Sequence, residues 1–200
     1  MINSLETINP NNTSFLLIEF QKTWTEKGFL HRLIRKEYTS RKVLKNTVNL
    51  INQARKNGFT IIHAPLILDK QDRERYKRIP LPPKLLKGFT AGTWKAEFTE
   101  GVYNKSDVVV EGRYSFNACE GSNLEQLLKE RGIKNIFICG FTTDQCVELT
   151  LKALTLKGYN CFLVSDCTAT RNSGLQRKIE KRNTTITSTG VLKLLKFTIH

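Results

Sequence analysis

The stretch Gly140-Phe-Thr-Thr-Asp-Gln-Cys146 holds the residue types in this chain best suited to covalent chemistry. It follows a short apolar run, Asn135-Ile-Phe-Ile-Cys139, and leads into an apolar stripe at helical spacing, Cys146, Val147, Thr150, Leu151 and Leu154, that stops at Gly158. Cys146 is thus predicted in the first turn of a helix that follows a buried strand. Unpaired amide hydrogens and the positive dipole end favour a thiolate there. The same turn offers backbone donors where an oxyanion forms during acyl transfer. The alternative is a cysteine that only packs the helix against a sheet.

Two charged residues sit at comparable places. Glu19 closes the apolar run Phe15-Leu-Leu-Ile-Glu-Phe20 and is followed by Gln21. A carboxylate in a buried run needs a partner or a purpose, unless it lies at an edge facing water. Arg113 falls just past Asp107-Val-Val-Val-Glu111, where a surface position is the alternative. An acid, a cation and a cysteine after three strands of one sheet would converge at a single point above it.

The elements that position them alternate. Strands are predicted at Phe15–Phe20, Phe59–Leu66, Asp107–Glu111, Asn135–Cys139 and Asn160–Ser165, with an edge strand at Thr184–Ser188. Helices are predicted from Ser40 to Lys56, before Gly58, from the capping-box sequence Ser122-Asn-Leu-Glu125 to Gly132, and from Cys146 to Gly158. Such alternation predicts an α/β, three-layer Rossmann-like fold, a mostly parallel five- or six-stranded sheet with helices on both faces. Sites in such sheets lie at the carboxyl ends of the strands. Residues 1–200 read as one domain, and the long charged segment Asp69–Ser106 reads as a functional loop.

Composition narrows the function classes. The net charge of +14 comes from 32 Lys+Arg against 18 Asp+Glu, but the basic residues lie in short scattered groups with no nucleic-acid-binding motif. A solvated lysine-rich surface is expected, without dedicated nucleic-acid binding. The five cysteines have no paired Cys-x-x-Cys spacing, which fits a reduced, cytoplasmic setting. No apolar run approaches the roughly 18 residues that cross a bilayer, and Met1–Asn12 is polar, so neither membrane nor export is expected. His31, His63 and His200 form no metal-ligating pattern, so no metal and no cofactor are expected.

These motifs resemble the isochorismatase-like cysteine hydrolase superfamily, which includes nicotinamidases. The resemblance rests on Glu19-Phe-Gln21, Arg113 and Gly140-Phe-Thr-Thr-Asp-Gln-Cys-Val147, and spans about Phe15 to Thr170. Ile62-His-Ala-Pro65, Lys87-Gly-Phe-Thr-Ala-Gly-Thr-Trp94, Ser122-Asn-Leu124 and Asp166-Cys-Thr-Ala-Thr170 look like its branch of unspecified cysteine hydrolases. The resemblance implies Cys146 as nucleophile, Glu19 as base and Arg113 as the cation of the site. It also implies a cis peptide between Phe141 and Thr142 and an oxyanion held near Thr142 and Cys146. Gln21, Trp94 and Phe116 are candidates to surround the substrate, with core packing the alternative for Phe116.

In two places the chain departs from the family pattern, with Glu19 where Asp is usual and Arg113 where Lys is usual. An arginine stays protonated and cannot donate and recover a proton. The implied activity is hydrolysis of a carbon–nitrogen bond in a small-molecule amide or carbamoyl substrate by a homo-oligomer. The other readings are a vinyl-ether hydrolase of isochorismate type and a catalytically impaired scaffold or binding protein.

Overall fold

The computed structural model describes residues 8–197; His200 lies outside them. The strands are β1 (Thr13–Ile18), β2 (Thr60–Ala64), β3 (Val108–Val109), β4 (Asn135–Phe141), β5 (Asn160–Ala169) and β6 (Thr185–Ile186). They form one six-stranded sheet of order β3-β2-β1-β4-β5-β6, with every neighbouring pair parallel. The central strands are near-continuous apolar runs because both faces of the sheet are covered.

Around the sheet lie α1 (Lys22–Thr25), α2 (Phe29–Ser40), α3 (Val43–Lys56), α4 (Arg73–Arg78), α5 (Leu81–Leu86), α6 (Leu124–Glu130), α7 (Glu148–Leu156), α8 (Ser173–Lys181) and α9 (Ser188–Phe197). Side chains alternate across a strand, so Phe15, Leu17, Phe137 and Cys139 join one core with Ile34 of α2, Leu50 of α3 and Val191 of α9. Leu16, Ile18, Ile136 and Ile138 join the other with Leu124 of α6, Leu151 of α7 and Ile179 of α8. The three-layer expectation holds.

Boundaries differ where local chemistry intervenes. The helix expected from Ser40 starts at Val43, since Lys42 takes a left-handed conformation (φ 53°) that separates α3 from α2. No reciprocal capping box forms at Ser122. Its Oγ accepts the Leu124 N–H at 3.2 Å and donates to the Ala118 carbonyl, while Glu125 pairs with Lys129 and Lys157.

The third strand shrinks to two residues, and the Asp107 side chain turns to Arg55, His63 and the Asn104 amide. The segment expected as a loop, Asp69–Ser106, contains α4 and α5. It is tied to the body by bridges from Leu68 to Thr90 and from Gln21 to Phe98. No helix among the described residues is long and apolar enough to cross a membrane.

Candidate active site

Strands β1 and β4 are direct neighbours, with Ile18 opposite Gly140, so the residues just past each strand meet at one end of the sheet. The contact is close because residue 140 is glycine. Its φ is +128°, and a Cβ built there would lie 2.0 Å from the Ile18 carbonyl oxygen. Just past β1 the chain turns sharply at Glu19 (φ 55°), whose N–H donates to the Ala64 carbonyl at the end of β2 and whose carbonyl accepts the Gln21 N–H at 2.7 Å.

The Glu19 side chain is fully buried and engaged at both oxygens. Arg113 Nη2 donates to Oε1 at 2.6 Å, and the indole Nε1 of Trp24 donates to Oε2 at 3.0 Å. Arg113 reaches Glu19 across the end of β2. Its guanidinium also donates to the carbonyls of Ala64 (2.7 Å), Ser115 (2.9 Å) and Phe116 (3.0 Å), so its plane is fixed by backbone on two sides. The surface alternatives for Glu19 and Arg113 are therefore excluded.

Beyond β4 the Phe141–Thr142 peptide is cis. The next turn, Thr143–Val147, is wound as a π-helix before α7 begins, and the Thr142 carbonyl accepts the N–H groups of Gln145 (3.1 Å) and Val147 (3.2 Å). Cys146 lies in this wide turn, not in a regular α-helical first turn. π-turns of this kind often mark functional sites.

Several side chains brace the turn. Thr150 Oγ1 donates to the Cys146 carbonyl at 2.7 Å and accepts the Ala118 N–H at 2.9 Å, which joins the Arg113 loop to the cysteine's helix. Thr143 donates to Gln176 at 2.8 Å, and Asp144 accepts from Thr170.

Cys146 is buried at 4% exposure, and Glu19 and Arg113 are the charged groups that act on its thiol. Burial pushes its ionisation up, and the Glu19 charge adds to this. Arg113 pulls the other way without overcoming them, so the thiol titrates well above its ordinary range. This corrects the expectation of a thiol activated by the helix terminus alone. Burial and the neighbouring Glu19 charge favour a neutral resting thiol.

Gln21 is also buried, but its amide serves the backbone. Nε2 donates to the carbonyls of Leu66 (3.1 Å) and Ala96 (3.0 Å), and Oε1 accepts the Leu66 N–H (3.1 Å). It clamps the end of β2 to the 69–106 segment. The Phe141 side chain packs in the core with Phe20, Trp24 and Tyr38, on the opposite face of the sheet from Cys146.

Phe116 is half-buried against the core that contains Cys146 and holds Arg113 through its carbonyl. Trp94 is half-buried with Lys27 5.2 Å above its ring, outside the hydrogen-bonded group around Glu19. Trp24 and Thr150 also bond to this group, and the sequence motifs do not single them out. The only sequence signal for Trp24 is an indole five residues after an unexplained acid.

His63 is fully buried on β2, with Nε2 2.8 Å from Asp107 Oδ2 and its ring against Phe98 and Tyr103. Among the described residues, no three His, Cys, Asp or Glu side chains converge as a metal site.

An acid, a cation and a cysteine thus lie at the carboxyl ends of β1, β3 and β4 in a parallel α/β sheet. The family of the isochorismatase domain, a family of hydrolases, matches residues 13–189, and the chain belongs to it.

Among its relatives, the uncharacterized isochorismatase family protein YddQ of Bacillus subtilis (strain 168) is 23% identical over 167 residues, 84% of this chain and 83% of that protein. Ureidoacrylate amidohydrolase RutB of Acinetobacter baylyi is 28% identical over 162 residues, with 72% of this chain matched against 64% of that protein's length. The cysteine hydrolase structure from Pseudomonas syringae pv. phaseolicola 1448A superposes with a TM-score of 0.78 at 18% identity, covering 96% of this chain and 95% of that one.

Proposed function

We propose that this chain hydrolyses a carbon–nitrogen bond in a small amide or carbamoyl compound through a thioester on Cys146. The observation that carries this reading is the buried Glu19–Arg113 pair at the strand ends, whose charges act on the equally buried Cys146 thiol. A neutral thiol needs a base at the moment of attack, and Glu19 is the carboxylate whose charge acts on it.

In the forward step Glu19 takes the Cys146 proton as sulfur bonds to the carbonyl carbon. Amides near Thr142 and Cys146 hold the oxyanion. The carbon–nitrogen bond then breaks, and the leaving nitrogen takes the proton from Glu19. Water, deprotonated by Glu19, attacks the thioester carbonyl, and the thiol regains its proton as the acid departs.

Arg113 keeps its protons throughout. Its part is to hold the Glu19 carboxylate and to offset negative charge on sulfur. Gln21, Trp94 and Phe116 are assigned to the surroundings of the substrate, with Gln21 acting through the backbone it clamps. The relationship to an amidohydrolase supports carbon–nitrogen over vinyl-ether chemistry. Screening small amides and ureido compounds for ammonia release tests the reading. Release by the wild-type chain is expected, and a panel that yields none while Cys146 alkylates readily would contradict it.

A further inference from the structure

We propose that Trp24 is a positioning residue for Glu19, its indole N–H fixing the carboxylate so that the second oxygen and the thiol proton stay in line. This rests on the reading of Cys146 as nucleophile and Glu19 as base. Glu19 carries one more methylene than the aspartate usual at this place, and so one more torsion to restrain. Arg113 holds only Oε1; Oε2 is held by Trp24 Nε1 at 3.0 Å.

The indole is itself buried at 7% exposure and locked in place. Its ring lies nearly parallel to that of Phe141, with centroids 6.1 Å apart, and packs on Phe89 of the 69–106 segment at 6.2 Å. An indole N–H in so dry a place must find an acceptor, and a rigid aromatic donor costs little conformational freedom when it does. Trp24 therefore links the base, the strand end before the Cys146 turn and the 69–106 segment.

The charged and titratable groups facing Glu19 are Arg113 and Cys146. On the far side of Trp24 stands His31, whose Nδ1 is 2.8 Å from the Trp24 carbonyl, with Tyr38 against its ring. Burial pushes Tyr38 up to about 12, which places its titration outside the pH range of the test.

The test follows Cys146 alkylation by iodoacetamide, itself a small amide, from pH 4 to 9, read by mass spectrometry on the Cys146 peptide. Trp24→Phe keeps the ring and removes the donor, so the carboxylate is less stabilised against protonation. The acid limb of the profile should move up by about one pH unit, while His31→Gln leaves it in place. A limb that stays put in Trp24→Phe overturns the proposal.

A second readout needs no variant. Of the two indole N–H resonances, that of Trp24 should titrate at the midpoint of the alkylation limb, and that of Trp94 should not. A Trp24 resonance that is constant with pH overturns the proposal as well. A wild-type profile with no acid limb, rising only as an ordinary thiol, overturns the reading of Glu19 as base and this inference with it. An intact wild-type limb with an unmoved variant removes Trp24 alone.

Discussion

Arg113 Nη2 lies 2.6 Å from Glu19 Oε1, with both side chains about 1% exposed. Taking two charges out of water is costly, and the pair persists because its remaining hydrogen-bonding groups are met by backbone carbonyls and by an indole. The same arrangement leaves a buried carboxylate whose charge acts on the buried Cys146 thiol.

Removing one partner should therefore hurt more than removing both. Glu19→Gln leaves the Arg113 cation buried without its counter-charge and is expected to lower stability by about 3–5 kcal/mol. Pairing it with Arg113→Met should recover part of that loss. Urea unfolding of the two single variants and the double variant measures this. In Glu19→Gln the alkylation of Cys146 should also slow by on the order of 100-fold, since the thiol loses its base.

Restoring the lysine usual in the family is not expected to stabilise this chain. Arg113 serves four acceptors, Glu19 Oε1 and the carbonyls of Ala64, Ser115 and Phe116. A lysine has three donors on one atom and cannot span both sides. Arg113→Lys should cost about 1–3 kcal/mol through an orphaned carbonyl, while the retained cation keeps Cys146 alkylation within about tenfold of wild type. The shift in Tm and the alkylation rate read the two effects separately.

Gly140→Ala should be far more damaging than its size suggests. The new Cβ would meet the Ile18 carbonyl oxygen at 2.0 Å in a backbone conformation (φ +128°) that L-residues rarely adopt. Both atoms belong to central strands, so neither can move alone. A loss of at least about 3 kcal/mol is expected, read as a lowered Tm or lost soluble yield.

Acid should weaken the fold through Asp107. Burial pushes this carboxyl up, but hydrogen bonds from His63, Arg55 and the Asn104 amide outweigh it and hold the group at about 2, below its ordinary 3.8. A depressed folded-state value means the stabilisation is present above pH 4 and is lost as pH falls through about 2. Asp107→Asn should lower stability at neutral pH by on the order of 2 kcal/mol, and the gap from wild type should close below pH 4. Denaturant midpoints measured from pH 7 to pH 2 check this.

The sheet is legible in the sequence because its strands are continuous apolar runs between glycine-ended helices, and Glu19, Arg113 and Cys146 are legible because each breaks or closes such a run. The hidden features depend on conformations that leave no periodic trace. α2 has only Leu30 and Ile34 as its buried apolar positions, beside the buried Glu37, which is too thin a stripe to see. α4 and α5, of six residues each, are too short to show a period. The π-turn at Thr143–Val147 has no composition of its own. Trp24 reaches Glu19 only because the chain reverses at φ 55°, which no helical or strand spacing describes. The balance at Cys146 is hidden for a related reason, since the depth of burial that raises its ionisation is a property of the packed fold.

Bond formation between the Cys146 sulfur and the substrate's carbonyl carbon is the step on which the proposed chemistry depends. Ammonia release from the amide and ureido panel, measured for the wild-type chain beside Cys146→Ala, tests it most directly. Release by wild type and a fall of at least about 1,000-fold in the variant are expected. Release at an undiminished rate from correctly folded Cys146→Ala would contradict it.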